Sequence, residues 1–190
     1  MRENAPDIRV SALIFTRNEG EQLKVLLEDI VGIVDEVVII DACSTDGTID
    51  VARKYGARIF ETKPLGYVEP CRMFGLSKVS HDYVLYLDCD ERLNTNLKAT
   101  LRQIVNKMHQ DDISAIYVLR RNYISSQRWL RHLFYPDFQV RIFRKDRVKY
   151  MGIIHEQPIV SGKTIRLPPE KFWIDHFILC LLYTSDAADE

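Results

Sequence analysis

The sequence predicts an α/β protein built on a doubly wound, mostly parallel sheet, with a less regular C-terminal part. Three observations carry that expectation. Over the first ninety residues, short apolar runs alternate with segments of helical period, joined by brief links. Those runs are apolar almost throughout, as strands are when helices cover both faces of a sheet. Four of them end in Thr16, Asp41, Glu61 and Asp88, at the carboxyl rim where such sheets bind their ligands.

Taken in order, residues 9–16 read as a buried strand. The apolar positions Leu23, Leu26, Leu27, Ile30 and Val31 then fall on one helical face, and Asn18 with Glu21 resembles a capping box that starts the helix. Residues 36–41 form the second strand. Ala42 to Gly47 is a turn in which Ser44 and Thr45 are placed to cap a helix over 48–55, stopped at Gly56. Residues 57–61 give a third strand, 63–70 a loop, 71–79 a helix and 82–87 the fourth strand. Beyond Asp90, Asn94 or Thr95 caps a helix with Leu97, Leu101, Ile104, Val105 and Met108 on one face. Strands are expected at 114–120 and 138–143, with weaker candidates at 153–160 and 172–177.

The sharpest chemical signal is Asp88-Cys89-Asp90, followed by Glu91. Alternate residues of a strand point the same way, roughly 6.6–7 Å apart, so two carboxylates aligned like this repel unless a cation or a hydrogen-bonding ligand holds them. Hard divalent ions such as Mg²⁺ or Mn²⁺ take one or two carboxylates and complete their shell with phosphates. Asp41, at the end of its strand, is placed to accept a hydrogen bond from a ligand N–H. Three of the four rim residues are acids, so this rim is not built for a bare anion.

Composition sets limits. The chain has 190 residues, 46% of them hydrophobic, and a formal net charge of −1, which suits one domain and selects no partner. The distribution is uneven: residues 1–119 hold 14 basic and 19 acidic side chains, and residues 120–149 hold 9 basic and 2 acidic. The basic segment, interleaved with aromatics, is a candidate for an anionic acceptor or for peripheral membrane contact. No nucleic-acid motif accompanies it. Cys43, Cys71 and Cys89 have no CxxC spacing, which argues against a disulfide framework or zinc site and fits a reducing compartment. The polar N-terminus is no secretory signal, and no run approaches the ~18–20 apolar residues of a membrane span. A cytoplasmic protein is expected, with room for contact at the inner membrane face. Residues 180–190, from Cys180 to Glu190, resemble a translated sequencing adapter, so the domain is read over 1–179 and the native chain is expected to be longer.

Three blocks together resemble a family 2 glycosyltransferase with the A-type glycosyltransferase fold. They are Ala12-Leu13-Ile14-Phe15-Thr16-Arg17-Asn18-Glu19, then Val37 to Thr48 containing Asp41-Ala42-Cys43-Ser44-Thr45-Asp46-Gly47, then Val84-Leu85-Tyr86-Leu87-Asp88-Cys89-Asp90-Glu91. Gln139 to Arg144 and Gly152-Ile153-Ile154-His155-Glu156 are similar to the subgroup of lipooligosaccharide-core glucosyltransferases. The resemblance implies inverting, metal-assisted transfer of a hexose from a UDP-linked donor to a hydroxyl of a glycan or lipid-linked acceptor. It implies a nucleotide-binding half over 1–95 and an acceptor half over 96–179. Thr16, Asn18 and Glu19 would line the nucleoside pocket and Asp41 would bind the base. Asp88 would reach ribose or metal, Asp90 the metal, and Arg72 a phosphate or an acidic residue. His155 and His176 are further candidates for metal or phosphate. Glu156 is the leading general base, with Asp137 second. Many members carry a Glu-Asp pair where this chain reads His155-Glu156.

Two rivals fit less well. A DxD phosphatase places its motif on the first strand with Thr or Val where Arg92 stands here. A nicotinamide-binding domain lacks its GxGxxG loop. A non-catalytic sugar-nucleotide binder is the principal alternative.

Overall fold

A computed structural model describes residues 8–63, 69–125, 128–130, 135–152 and 157–177. The first half alternates as expected: β1 (Val10–Thr16), α1 (Gly20–Ile30), β2 (Glu36–Asp41), α2 (Thr48–Lys54), β3 (Arg58–Glu61), α3 (Arg72–Lys78) and β4 (Tyr83–Asp88). There follow β5 (Glu91–Leu93), α4 (Thr95–Gln110), β6 (Ile113–Ser125), β7 (Arg128–Trp129) and β8 (Asp137–Arg144). The remainder is β9 (Val148–Lys149), β10 (Ile159–Val160), β11 (Lys163–Arg166) and β12 (Trp173–Phe177).

The main sheet runs β3-β2-β1-β4-β8-β6-β12-β5, with β7 and β11 also paired to β6. Its first four strands are parallel, and β4–β8, β8–β6 and β12–β5 are antiparallel. The parallel expectation therefore describes β3 to β4, and the less regular part is a mixed sheet grown onto β4. Two buried layers cover the two faces. Leu23, Leu26, Leu27 and Ile30 of α1, Ala52 of α2, and Leu97, Leu101, Val105 and Met108 of α4 pack on one side. Leu76 of α3 packs with Leu13, Phe15, Val38, Ile40 and Tyr86 on the other. Gly75 lets α3 sit this close, because a Cβ there would lie 2.7 Å from the Phe15 ring and 3.1 Å from Leu13.

Helix α4 is capped as anticipated: Asn94 Oδ1 accepts from Leu97 N at 3.1 Å. The other two expected caps are corrected. Neither α1 nor α2 has a side-chain cap at its own N-cap residue. The reason lies in how the two helix starts meet, described below.

Candidate active site

The strand register gathers the rim. Thr16 pairs with Asp41, Asp41 with Glu61, and Phe15 with Asp88. Above them the loops entering α1 and α2 interlock. Asn18 N donates to Ser44 Oγ at 2.8 Å, Thr45 N donates to Asn18 Oδ1 at 2.7 Å, and Glu19 N donates to Thr48 Oγ1 at 3.0 Å. Asp46 takes both helix starts, accepting from Gly20 N at 3.3 Å and from Thr48 N at 3.0 Å. Asn18 is thus committed across the rim, which is why the capping box with Glu21 does not form. Its φ of 55° suits a left-handed position that asparagine tolerates. The two backbones touch at Gly20, where a Cβ would stand 3.2 Å from Thr48 N.

Asp41 is buried beneath these loops, and its two oxygens accept from Ser44 N at 2.8 Å and from Ser44 Oγ at 2.5 Å. Ser44 therefore serves Asp41 and not the helix it was expected to cap. Thr16 is buried beside it. Glu19 is half-buried, and burial raises its carboxyl above the ordinary value, with the charge of Asp90 adding to the rise. Thr16, Asn18, Glu19 and Asp41 are all brought to one rim, as the sequence suggested.

Asp88 and Asp90 part company. β4 ends at Asp88 and residues 89–90 turn, so the strand alternation that would align the two carboxylates stops two residues short of Asp90. Asp88 Oδ2 accepts from Arg141 Nη2 at 2.8 Å. Burial would raise the Asp88 carboxyl, but the Arg141 charge and hydrogen bond outweigh it and hold it below the ordinary range. A guanidinium is therefore one partner of Asp88, on the oxygen Oδ2.

Asp90 Oδ2 lies 3.3 Å from His176 Nε2. The pairing of β12 with β5 sets this up, and Phe177 N donates to Asp90 O at 3.0 Å. Among the described residues no three His, Cys, Asp or Glu side chains form a metal cage. Asp90 and His176 are two adjacent donors on an open rim, which suits a cation that takes its other ligands from phosphates. The donor set fits Mg²⁺ or Mn²⁺, with the nitrogen ligand better matched to Mn²⁺.

A ring of polar side chains joins the two aspartates from behind. Arg141 also donates to Glu91 Oε1, and Arg120 Nη1 stands 3.8 Å from the same oxygen. Arg120 Nε donates to Asp137 Oδ2 at 2.8 Å, Asn122 Nδ2 donates to the same atom at 3.3 Å, and Gln139 Nε2 donates to Asp137 Oδ1 at 2.5 Å. His176 Nδ1 lies 2.6 Å from Asn122 Oδ1. Burial, with the charge of Asp88, pushes the Glu91 carboxyl up to about 7 against the pull of Arg141 and Arg120. Burial also pulls the Asp137 carboxyl upward, but Gln139, Arg120 and Asn122 together leave it below the ordinary value. A carboxylate so stabilised is a poor proton acceptor, which weakens Asp137 as a general base.

A cavity of about 250 Å³ opens beside Asp88, lined by Arg72, Tyr86, Arg120, Gln139, Arg141 and Tyr150 among others. Arg72 starts α3, and its guanidinium lies over Tyr150 at 5.0 Å and over Tyr86 at 5.8 Å. Glu156 and His155 lie outside the described residues. Much of the charge of the basic segment goes into internal pairs: Arg120 with Asp137, Arg141 with Asp88 and Glu91, and Arg144 with Asp112 and Asp146. No helix of the described residues is long and apolar enough to cross a membrane.

Sequence reasoning passed over Glu91, Arg120, Asn122 and Arg141. Little in the sequence warned of them, because Arg141 between Val140 and Ile142 has the alternation of a solvent-facing position on a half-buried strand.

Residues 11–162 match the family described as Glycosyl transferase family 2. A protein named "Uncharacterized glycosyltransferase" from Rickettsia felis is 32% identical over 118 residues, covering 60% of this chain and 41% of that protein. "Lipopolysaccharide core biosynthesis glycosyltransferase LpsC" from Rhizobium meliloti is 28% identical over 173 residues, 84% of this chain and 62% of that protein. Among solved structures, S. aureus TarS 1-349 in complex with UDP-GlcNAc superposes with a TM-score of 0.68 at 16% identity, covering 96% of this chain and 62% of that one. The chain thus spans less than two thirds of the length of these proteins.

Proposed function

The chain belongs to glycosyl transferase family 2, and on that premise we propose that it transfers a hexose, with inversion, from a UDP-linked donor to a hydroxyl of a glycan or lipid-linked acceptor. The observation that carries this reading is the convergence of Asp41, Glu19, Asp88 and Asp90 on one strand rim, with His176 3.3 Å from Asp90. The TarS complex with UDP-GlcNAc shares the fold, and the relative named for lipopolysaccharide core biosynthesis supports an envelope glycan as acceptor.

Residues 1–95 take the nucleotide and residues 96–179 the acceptor. Asp41 accepts a hydrogen bond from the base, while Thr16, Asn18 and Glu19 line the nucleoside pocket. Asp88, fixed by Arg141, meets a ribose hydroxyl. Asp90 and His176 hold the cation, and Arg72 contacts a phosphate oxygen. When bound, Mg²⁺ or Mn²⁺ neutralises the charge that grows on the departing diphosphate. Glu156 removes the proton from the acceptor hydroxyl. It directly precedes Gln157, whose amide donates to Gln139 Oε1 at 2.9 Å on the wall of the cavity beside Asp88.

The test is a screen of UDP- and GDP-hexoses with Mn²⁺ or Mg²⁺, reading nucleotide release and transfer. Asp90→Ala is expected to abolish metal-dependent turnover. Glu156→Gln is expected to keep UDP affinity and to lose about 10²–10⁴-fold in kcat. Donor binding without turnover by the wild type would point instead to a sugar-nucleotide binder.

A further inference from the structure

The hydrogen bonds behind His176 form a chain whose directions can be assigned end to end. Asp137 lies against the Arg120 guanidinium at 2.8 Å and accepts from Gln139 at 2.5 Å, so it is an ionised carboxylate with no proton to give. The Asn122 group facing it at 3.3 Å must therefore be the Nδ2 amide, a donor. That leaves Oδ1 of Asn122, an acceptor only, facing His176 Nδ1 at 2.6 Å. Nδ1 must then carry a proton. In the neutral imidazole the remaining nitrogen, Nε2, keeps its lone pair, and it is Nε2 that stands 3.3 Å from Asp90 Oδ2.

The sheet holds the parts in place. β12 pairs in parallel with β6 so that His176 lies opposite Asn122, and β6 pairs with β8 so that Arg120 lies opposite Asp137. Asn122 is buried and His176 half-buried. A free histidine side chain favours the opposite tautomer, with its proton on Nε2, where it would occupy the position a cation needs. We infer that Asn122 is a positioning residue: anchored by Asp137, it fixes His176 in the Nδ1–H tautomer and turns the Nε2 lone pair toward the cation beside Asp90. The arrangement is an amide-bridged form of the carboxylate–histidine pairing that orients metal ligands in other proteins. This rests on the reading of Asp90 and His176 as the cation-holding pair.

Two readouts separate the inference from that reading. In the first, the chain is labelled with ¹⁵N-histidine and the His176 ring is observed by long-range ¹⁵N–¹H NMR, free of metal and nucleotide, at a pH where the imidazole is neutral. The wild type is expected to show Nδ1 protonated and Nε2 bare; Asn122→Leu is expected to revert toward the Nε2–H form. In the second, Mn²⁺ binding in the presence of UDP is followed by electron paramagnetic resonance, and Asn122→Leu is expected to weaken it about 10–100-fold. Should Asn122→Leu fail to fold, Asp137→Asn carries the same test, because a carboxamide at 137 no longer dictates which face of Asn122 it meets. A wild-type His176 protonated on Nε2, or a folded variant with tautomer and Mn²⁺ affinity unchanged, overturns the inference. A wild type with the expected tautomer that binds no Mn²⁺ overturns the cation-facing role and the metal reading it rests on, while the transfer assay reports separately on the donor and acceptor.

Discussion

Replacing Arg141 by Met tests the electrostatics of the whole rim. Arg141 is 4% exposed and Glu91 is fully buried, so among the described residues the variant leaves Glu91 with the Arg120 cation at 3.8 Å and the Asp88 backbone N–H at 3.1 Å. Removing one partner of a buried ion pair costs about 3–5 kcal/mol, because the remaining charge is left without compensation. That figure applies only where Glu91 is ionised. Its carboxyl lies at about 7 in the native protein, and losing Arg141 raises it further. Between the two values the variant holds a proton that the wild type has released, so the destabilisation grows with pH by about 1.4 kcal/mol per unit. Below pH 6, where Glu91 is protonated in both proteins, the loss falls to about 1–2 kcal/mol, the range expected for lost hydrogen bonds to a neutral and a partly hydrated acceptor. Urea unfolding at pH 6.0 and pH 8.5 reads both numbers. The double variant Arg141→Met with Glu91→Gln should recover most of the loss at pH 8.5 and remove the slope. An equal loss at both pH values, or a loss under about 1 kcal/mol at pH 8.5, would refute the assignment of Glu91 as a buried charge held by Arg141.

Glu36 offers the opposite pH signature. Burial raises its carboxyl, but hydrogen bonds from Ser11, Ser80 and Arg58 outweigh burial and bring it to about 2. Its stabilisation is therefore present above the unfolded value and lost as pH falls from about 4.5 to 2; up to about 3 kcal/mol should vanish over that window and be absent in Glu36→Gln, checked by acid-unfolding curves. Gly75→Ala should cost about 1–3 kcal/mol by forcing α3 off the Phe15 and Leu13 side chains, read as a lowered thermal midpoint. His176→Ala should weaken Mn²⁺ binding in the presence of UDP about 10-fold or more, and should cost the metal-free protein about 1–3 kcal/mol for the Asn122 acceptor left unpaired; equal Mn²⁺ affinity would remove His176 from the cation site.

The legible part of this protein is the part whose causes are local. β1, β2 and β4 lie between two helical layers, so nearly every residue in them is apolar and each run announces itself. Asp41 ends β2, Asn18 and Asp46 lie within five residues of a strand end, and the loops that use them are short. β5 shows the limit. Its three residues, Glu91-Arg92-Leu93, carry two charges and no period, and they are a strand only because β12, some eighty residues later, pairs with them.

The ring behind the aspartates was hidden for the same reason, and so was the Arg141 that meets Asp88. From the sequence alone, two carboxylates two apart on a strand called for a cation or a hydrogen-bonding ligand to hold them. That deduction needed the strand to continue to Asp90 and needed no other cation nearby. The strand stops at Asp88, and the register of β8 against β4 and β6 delivers Arg141 from fifty-three residues away. This partner of Asp88 is non-local. Arg141 is shared between Asp88 and Glu91, while Asp90 meets His176. The proposed division of the rim rests on this geometry: Asp88 is held by Arg141, and Asp90 stands beside His176.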